Sequence, residues 1–314
     1  MYKGLTVGVV VPAYNEESQI GKVVETMPDY VDHIAIVDDK STDSTIQIVE
    51  KLITQDQRIV LIKHSENQGV GGAIASGYKW MRDNDIDAAT VMAGDAQMDP
   101  KDLPALLDPI VDDIVDYTKG NRLIHNNAYN IIPRVRFLGN AALSFLTKIA
   151  SGYWHVADSQ TGYTVINKKA LHVVNWDEMY KRYGQPNDLL VKLNVHSFRV
   201  QDVPIEPVYN VGEKSDIRIR KVLFTLSWLL VRLFFWRLKE KYIIRDFHPL
   251  ILFYLSGFTL MFISSILSVR LLYVWAASGV FPEVTGLALM FAVFMGAQSL
   301  FFAMWFDSEY DRKR

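Results

Sequence analysis

The chain has 314 residues, half of them hydrophobic, a formal net charge of −2 at pH 7 and no cysteine. That charge excludes a nucleic-acid binder whose affinity comes from neutralising many phosphates, and the missing cysteines exclude a disulfide frame, thiolate catalysis and Cys-based zinc sites. Residues 1–210 alternate short apolar runs with polar, Gly-rich loops, whereas residues 222–306 are overwhelmingly apolar and aromatic, so two solvents are implied.

Residues 1–6 carry no hydrophobic signal segment and run straight into a strand, so the folded part is expected to stay in the cytoplasm. The first strand is the β-branched run 7–11, ending at Pro12 as a strand buried on both faces would. A polar loop, Ala13-Tyr14-Asn15-Glu16-Glu17-Ser18, then leads into a helix reaching about Met27. The second strand, 33–37, ends in Asp38-Asp39, and Ser41, Thr42 and Asp43 are placed to cap a helix reaching Thr54. The third, 59–63, precedes Asn67-Gln68-Gly69-Val70-Gly71-Gly72 and a helix to Arg82. These glycines fail the dinucleotide fingerprint, and Tyr78 stands where a phosphate loop needs Lys, so both motifs are rejected. Close packing of the helix start and approach to a ligand both remain open for them.

The fourth strand, 88–92, delivers Ala93-Gly94-Asp95-Ala96-Gln97-Met98-Asp99-Pro100. An isolated carboxylate and an amide oxygen just past a strand end suit a hard divalent cation bound partly by a substrate diphosphate, although a plain turn and helix cap would use the same residues. Strands alternating with helices at this spacing predict a mostly parallel α/β sheet that binds ligands at the carboxyl ends of its strands. Beyond Pro100 the pattern predicts a strand near 115–118 leading to Lys119-Gly120-Asn121-Arg122. It also predicts a helix over 134–149, a turn at Asp158-Ser159-Gln160-Thr161-Gly162-Tyr163 before a strand at 164–166, a helix after Asn187-Asp188 and a strand at 200–205.

The composition then changes. Residues 217–247 mix Leu, Phe and Trp with recurring cations, including Arg218, Arg220, Lys221, Arg232 and Arg237, which suits helices lying in a membrane interface with Trp228, Phe235 and Trp236 in the acyl boundary. Residues 248–314 are expected to form a membrane domain with two transmembrane helices, at about 249–272 and 284–306. The link between them lacks Lys and Arg, while Arg245 precedes the pair and Arg312, Lys313 and Arg314 follow it, so both ends are expected on the cytoplasmic side.

Three motifs carry a family resemblance: Val11-Pro12-Ala13-Tyr14-Asn15-Glu16-Glu17, Val37-Asp38-Asp39-Lys40-Ser41-Thr42-Asp43 and Gly94-Asp95-Ala96-Gln97. Together they resemble family 2 glycosyltransferases of the GT-A fold, and more narrowly the polyprenyl-phosphate glycosyltransferases of the dolichyl-phosphate mannose synthase type. The resemblance implies a cytoplasmic GT-A domain over residues 1–216. It implies that Pro12, Tyr14 and Glu16 hold the base and ribose of a nucleotide-sugar donor and that Val37 and Asp39 complete that pocket. Ala93 and Gly94 border the donor, Asp95 and Gln97 fall on metal and diphosphate positions for Mg²⁺ or Mn²⁺, Arg122 falls near the phosphates, and Lys214 matches a family lysine in altered order. The family's first acid is Ala93 here, and an expected Arg is Asn210.

The implied reaction is displacement with inversion, moving a hexose from GDP-mannose or a UDP-sugar to a polyprenyl or dolichyl monophosphate for glycan assembly. The acceptor's second pKa near ~6 leaves its oxygen largely anionic, so a strong general base is unnecessary. Asp188 falls roughly where other inverting enzymes place a base. Arg134, Arg136 and Arg218 are candidates for the acceptor phosphate, because Arg suits bidentate contacts. The membrane and the lipid acceptor are the implied partners, with self-association through the spans left open. A processive polysaccharide synthase and an inactive nucleotide-sugar sensor are the alternatives; the first lacks its Gln-x-x-Arg-Trp segment here, and Ala93 supports the second.

Overall fold

All seven residues of the first strand, β1 (Val7–Ala13), are buried, as its β-branched run predicts. The computed structural model describes residues 1–124, 134–206 and 219–312. After β1 come α1 (Ile20–Glu25), β2 (His33–Asp38), α2 (Thr45–Ile53), β3 (Ile59–Lys63), α3 (Val70–Asp83), β4 (Ala88–Val91), α4 (Leu103–Val111) and β5 (Tyr117–Asn121). Then follow α5 (Arg134–Ser151), β6 (Thr164–Asn167), α6 (Lys168–Val173), α7 (Gln185–Val195), β7 (Val200–Pro204), α8 (Ile219–Lys239), α9 (Leu250–Ser278) and α10 (Glu283–Arg312).

The seven strands form one sheet in the order β3-β2-β1-β4-β6-β5-β7. Every neighbouring pair is parallel except those made by β6, which runs against both β4 and β5. The carboxyl ends of β1 to β5 and of β7 therefore share one edge with the start of β6. Period-two alternation sends β1 and β2 side chains to opposite faces. Val9, Val11, Ile34 and Ile36 pack with Ile20, Val24 and Leu106 on one face, while Val10, Ala35 and Val37 pack with Tyr78, Leu189 and Leu193 on the other. The chain moves outward from β1 to β3 and then returns to β1's other side with β4. This puts the topological switch, and the ligand crevice such a switch opens, between β1 and β4.

Two local expectations change. The N-cap of α2 is Ser44, which makes no side-chain cap bond; of the three expected caps only Asp43, just before it, serves the helix start, its Oδ1 accepting from the Thr45 N–H and hydroxyl, while Ser41 and Thr42 are engaged across the loop with Asn15. The helix expected after Asn187-Asp188 begins at Gln185, so both residues lie within its first turn.

By contacts the chain divides into two units, Met1–Phe234 and Phe235–Arg314. Helix α8 carries an exposed apolar stripe, Phe224, Trp228, Val231 and Phe235, whose spacing of four, three and four residues keeps it on one helical face. Arg237, read from the sequence as a surface cation, is instead fully buried, pairing through Nη1 and Nη2 with both oxygens of Asp307 at 2.9 and 2.8 Å. The Tyr242 hydroxyl donates to the same carboxylate. Helices α9 and α10 are both long and apolar enough to cross a membrane. At 1.5 Å per residue, 29 and 30 residues exceed a hydrocarbon core of roughly 30 Å. Their small residues set the spacing of the pair: a Cβ on Gly257 would lie 2.7 Å from Leu300, and one on Gly296 3.2 Å from Leu260.

Candidate active site

Three loops leave the carboxyl ends of β1, β2 and β4, and each holds a non-glycine residue at positive φ: Asn15 at 57°, Lys40 at 65° and Ala96 at 58°. Left-handed backbone costs a residue with a Cβ about 1 kcal/mol or more, so it persists only where its surroundings hold it. The first two loops are laced together. The Asn15 side chain accepts from the Thr42 N–H, and Asn15 N–H donates to Ser41 Oγ. Glu16 N–H donates to Thr45 Oγ1, Ser44 N–H to Glu17 Oε2, and Asp39 N–H to the Ala13 carbonyl.

The β4 loop crosses beside the β1 loop. Gly94 donates to the Pro12 carbonyl at 3.2 Å, and a Cβ at position 94 would meet that oxygen and Glu16 Cγ at 3.2 and 3.3 Å. Asp95 Oδ1 accepts from the Gln97 N–H across the turn at Ala96. Burial, the Asp95 charge and then Asp43 push the Glu16 carboxyl up to about 7. Two carboxylates that repel each other at a strand switch form an environment a cation relieves. Among the described residues no three acids or histidines gather into a metal cluster, so such an ion would take its remaining ligands from Gln97 and a substrate.

On the β2 side, Tyr14 is 48% exposed with its ring at the loop tip, rather than packed in the core. Val37 is wholly buried, so its side chain cannot face a ligand and only its backbone is available. Asp38 Oδ2 accepts from Ser41 N–H, while its buried Oδ1 has no partner among the described residues. Asp39 receives the backbone N–H groups of Gln68 and Gly69. The glycines after it serve packing: a Cβ on Gly71 would lie 2.2 Å from the Tyr180 carbonyl, and Gly72 N–H donates to the Lys181 carbonyl.

The far side of the same edge is built from charges. Arg122 grips Asp158 through Nε (2.8 Å) and Nη2 (3.2 Å), and Asp158 also accepts from its own loop at Gln160. Burial would raise the Asp158 carboxyl, but the Arg122 charge and N–H groups outweigh it and hold it below the usual carboxylate range. Lys119 is fully buried, donates to the Thr161 carbonyl, and is pushed by burial down to about 8 despite Asp158 and Asp202 nearby. The Tyr163 hydroxyl donates to the Asp99 carbonyl and Gly162 abuts Met98, so this charged loop braces the one that carries Asp95.

Asp188 is buried and committed: its Oδ2 accepts from Tyr180 N–H at 2.8 Å and Lys192 Nζ at 2.9 Å. Both contacts fall on Oδ2 and tie Asp188 to the 180–185 turn and to its own helix. Arg134 and Arg136 open α5, with their side chains outside the described residues. Lys214, Arg218 and Asn210 also lie outside the described residues.

The model of the family described as Glycosyl transferase family 2 matches residues 8–174, more than half of the chain. The chain belongs to that family. Among curated relatives it is 32% identical over 214 residues to a UDP-N-acetylglucosamine–dolichyl-phosphate N-acetylglucosaminyltransferase of Methanococcus voltae, covering 64% of this chain and 85% of the relative. It is 25% identical over 228 residues to a polyprenol monophosphomannose synthase of Mycolicibacterium smegmatis, covering 70% and 84%. Among solved structures, glucosyl-3-phosphoglycerate synthase of Mycobacterium tuberculosis with Mg²⁺ and UDP superposes at a TM-score of 0.55 and 18% identity, over 74% of this chain and 79% of that one. The fold is thus the expected GT-A type, and this family 2 glycosyltransferase is an enzyme. Sequence reasoning on it missed the Asp158 partner of Arg122 and the burial of Lys119. Only the polar turn at Asp158 hinted at either.

Proposed function

We propose that this glycosyltransferase moves a hexose from a nucleoside diphosphate to a polyprenyl monophosphate at the cytoplasmic leaflet. The observation that carries the reading is the presence, in one chain, of the Glu16–Asp95 acidic pair at the β1/β4 switch and a helix with an exposed aromatic stripe leading into an apolar hairpin. The Methanococcus voltae relative is named for UDP-N-acetylglucosamine and dolichyl phosphate, which makes a UDP-sugar the first donor to test.

In this proposal the base stacks on Tyr14 and is read by Asp39, with Pro12 and the Val37 backbone closing its pocket. Asp95 and Gln97, assisted by Glu16, would hold Mg²⁺ or Mn²⁺. A cation there would supply charge neutralisation for the departing nucleoside diphosphate. Arg122, oriented by Asp158, and Lys214 share that task. The acceptor oxygen, largely anionic at neutral pH, attacks the anomeric carbon with inversion; the carbon–oxygen bond to the diphosphate breaks and its electrons leave with the nucleotide. Arg134, Arg136 and Arg218 receive the acceptor phosphate.

The long lipid tail stays in the bilayer, so the site must meet it at headgroup depth. The stripe Phe224, Trp228, Val231 and Phe235 enters the acyl boundary, each cation nearby adds roughly 1 kcal/mol on an anionic surface, and both chain ends lie on the cytoplasmic side. The spans also offer a face for self-association. The test is transfer by the full chain in anionic liposomes containing polyprenyl phosphate, with UDP- and GDP-sugars and Mn²⁺ or Mg²⁺. A lipid-phosphate-linked sugar is the expected product. Release of nucleoside diphosphate that is indifferent to the lipid would overturn the proposed acceptor.

A further inference from the structure

The loop after β3 sets His64 between β2 and α3, joined to both. Its Nδ1 lies 2.8 Å from Asp39 Oδ1 and its Nε2 2.9 Å from Ser76 Oγ, with 6% of its side chain and 4% of that of Asp39 exposed. We propose that His64, backed by Ser76, is a positioning residue that aims Asp39 at the nucleobase and so decides which nucleoside diphosphates bind. This rests on the nucleotide site described above.

A carboxylate only accepts hydrogen bonds, so Nδ1 carries the imidazole proton and donates to Asp39. In the neutral ring Nε2 is then the acceptor and the Ser76 hydroxyl donates to it. Both ring nitrogens are satisfied and the tautomer is fixed. The Asp39 carboxylate has roughly four lone-pair directions, two on each oxygen. Oδ1 uses both of its own, on His64 Nδ1 and Gln68 N–H at 2.8 Å, and Oδ2 uses one on Gly69 N–H at 2.7 Å. Among the described residues a single acceptor direction remains, on Oδ2, in a side chain too buried to turn freely.

What can use that direction is a donor. The Watson–Crick edges of uracil and guanine present a ring N–H, at N3 and N1, whereas cytosine and adenine carry a lone pair at that ring position and offer donors only from the exocyclic N4 and N6 amines, displaced to the side of a fixed acceptor direction. An Asp39 carboxylate fixed on that ring position therefore favours uridine and guanosine nucleotides over the other two, because mismatched buried polar groups discriminate far more strongly than missing methylenes do. Without the imidazole N–H, Oδ1 loses a buried partner. Asp39 can then swing away from the direction it held, and the acceptor it offered the ring N–H is lost. A purely structural His64, holding the 64–69 loop, would instead weaken every nucleotide alike.

The experiment is calorimetric titration of the full-length protein in nanodiscs, with Mn²⁺ present, by UDP, GDP, CDP and ADP. The wild type is expected to bind UDP or GDP at least about tenfold more tightly than CDP and ADP. His64→Leu should weaken the preferred nucleotide about tenfold while leaving CDP and ADP unchanged, so that discrimination collapses. His64→Asn, whose amide N–H replaces Nδ1–H at the same reach, should restore most of it. Equal losses for all four nucleotides, or unchanged ratios, overturn the inference and leave the nucleotide site standing. Should His64→Leu not fold, Ser76→Ala decides: a fall in discrimination supports the relay, and an unchanged ratio overturns it. A wild type that binds none of the four overturns the nucleotide site itself, and this inference with it.

Discussion

The two sides of the strand-end crevice are held by different forces. At the ends of β1, β2 and β4 neighbouring loops exchange hydrogen bonds among backbone, hydroxyl, amide and carboxylate groups, many of them half exposed, and hold Asn15, Lys40 and Ala96 at positive φ. At the ends of β5 and β7 the loops are held by Arg122, Asp158, Lys119 and Asp202, all largely out of solvent. Many weak exchanges make a side that loses little with any one bond. A side built on buried charges fails at a single substitution, because the charge left behind has no water to repay it. The comparison teaches that the donor side is suited to fine adjustment and the far side to rigidity.

The most damaging way to break the donor side is at Asp95, the first acid past β4. Asp95→Asn is expected to lower transfer about a thousandfold while leaving the unfolding temperature unchanged, since the fold does not depend on that charge. Turnover near wild type with Mn²⁺ would remove Asp95 from the cation site. On the far side, Asp158→Ala strands the Arg122 guanidinium and should cost about 3–5 kcal/mol of stability. Ser41→Ala, which removes one half-exposed acceptor from the laced loops, should cost only about 1 kcal/mol. Denaturant unfolding of both variants sharpens the contrast, and equal costs would erase it.

A smaller effect should come from Ala93→Asp, which adds the acid usual in the family beside an existing pair. Mn²⁺ affinity should rise about tenfold with the added ligand charge, as read by titration of the ion alone. An unchanged titration would mean that position 93 does not face the ion. The smallest effect is pH-dependent. Glu16 is raised to about 7 in the fold by burial, Asp95 and Asp43, so the folded state binds a proton that the unfolded state releases nearer 4.5. Stability from this group is therefore full below about 4.5 and is lost as pH rises through about 7. Without added metal, Glu16→Gln should narrow the wild type's decline in unfolding temperature between pH 5 and pH 8, and parallel curves would discount the raised Glu16 carboxyl.

The sequence by itself determined the strands and helices through β4, because continuous β-branched runs and polar loops follow from burial on both faces and need no knowledge of partners. It also determined which edge of the sheet gathers the carboxyl ends, since parallel strands put them together, and the apolar hairpin, since α9 and α10 announce themselves by length and composition alone. Tertiary structure decided the reversal of β6, the burial of Val37, the withdrawal of Asp188 into a pair with Lys192, and the sealing of Arg237 against Asp307. Each of these joins residues distant in the chain or sets which face of an element is covered. A lone carboxylate or guanidinium reads the same in sequence whether it meets water, a ligand or an opposite charge, and only packing chooses among them. The same holds for His64: nothing in its neighbourhood marks it, and it gains meaning only because β2 and α3 bring Asp39 and Ser76 to its two nitrogens.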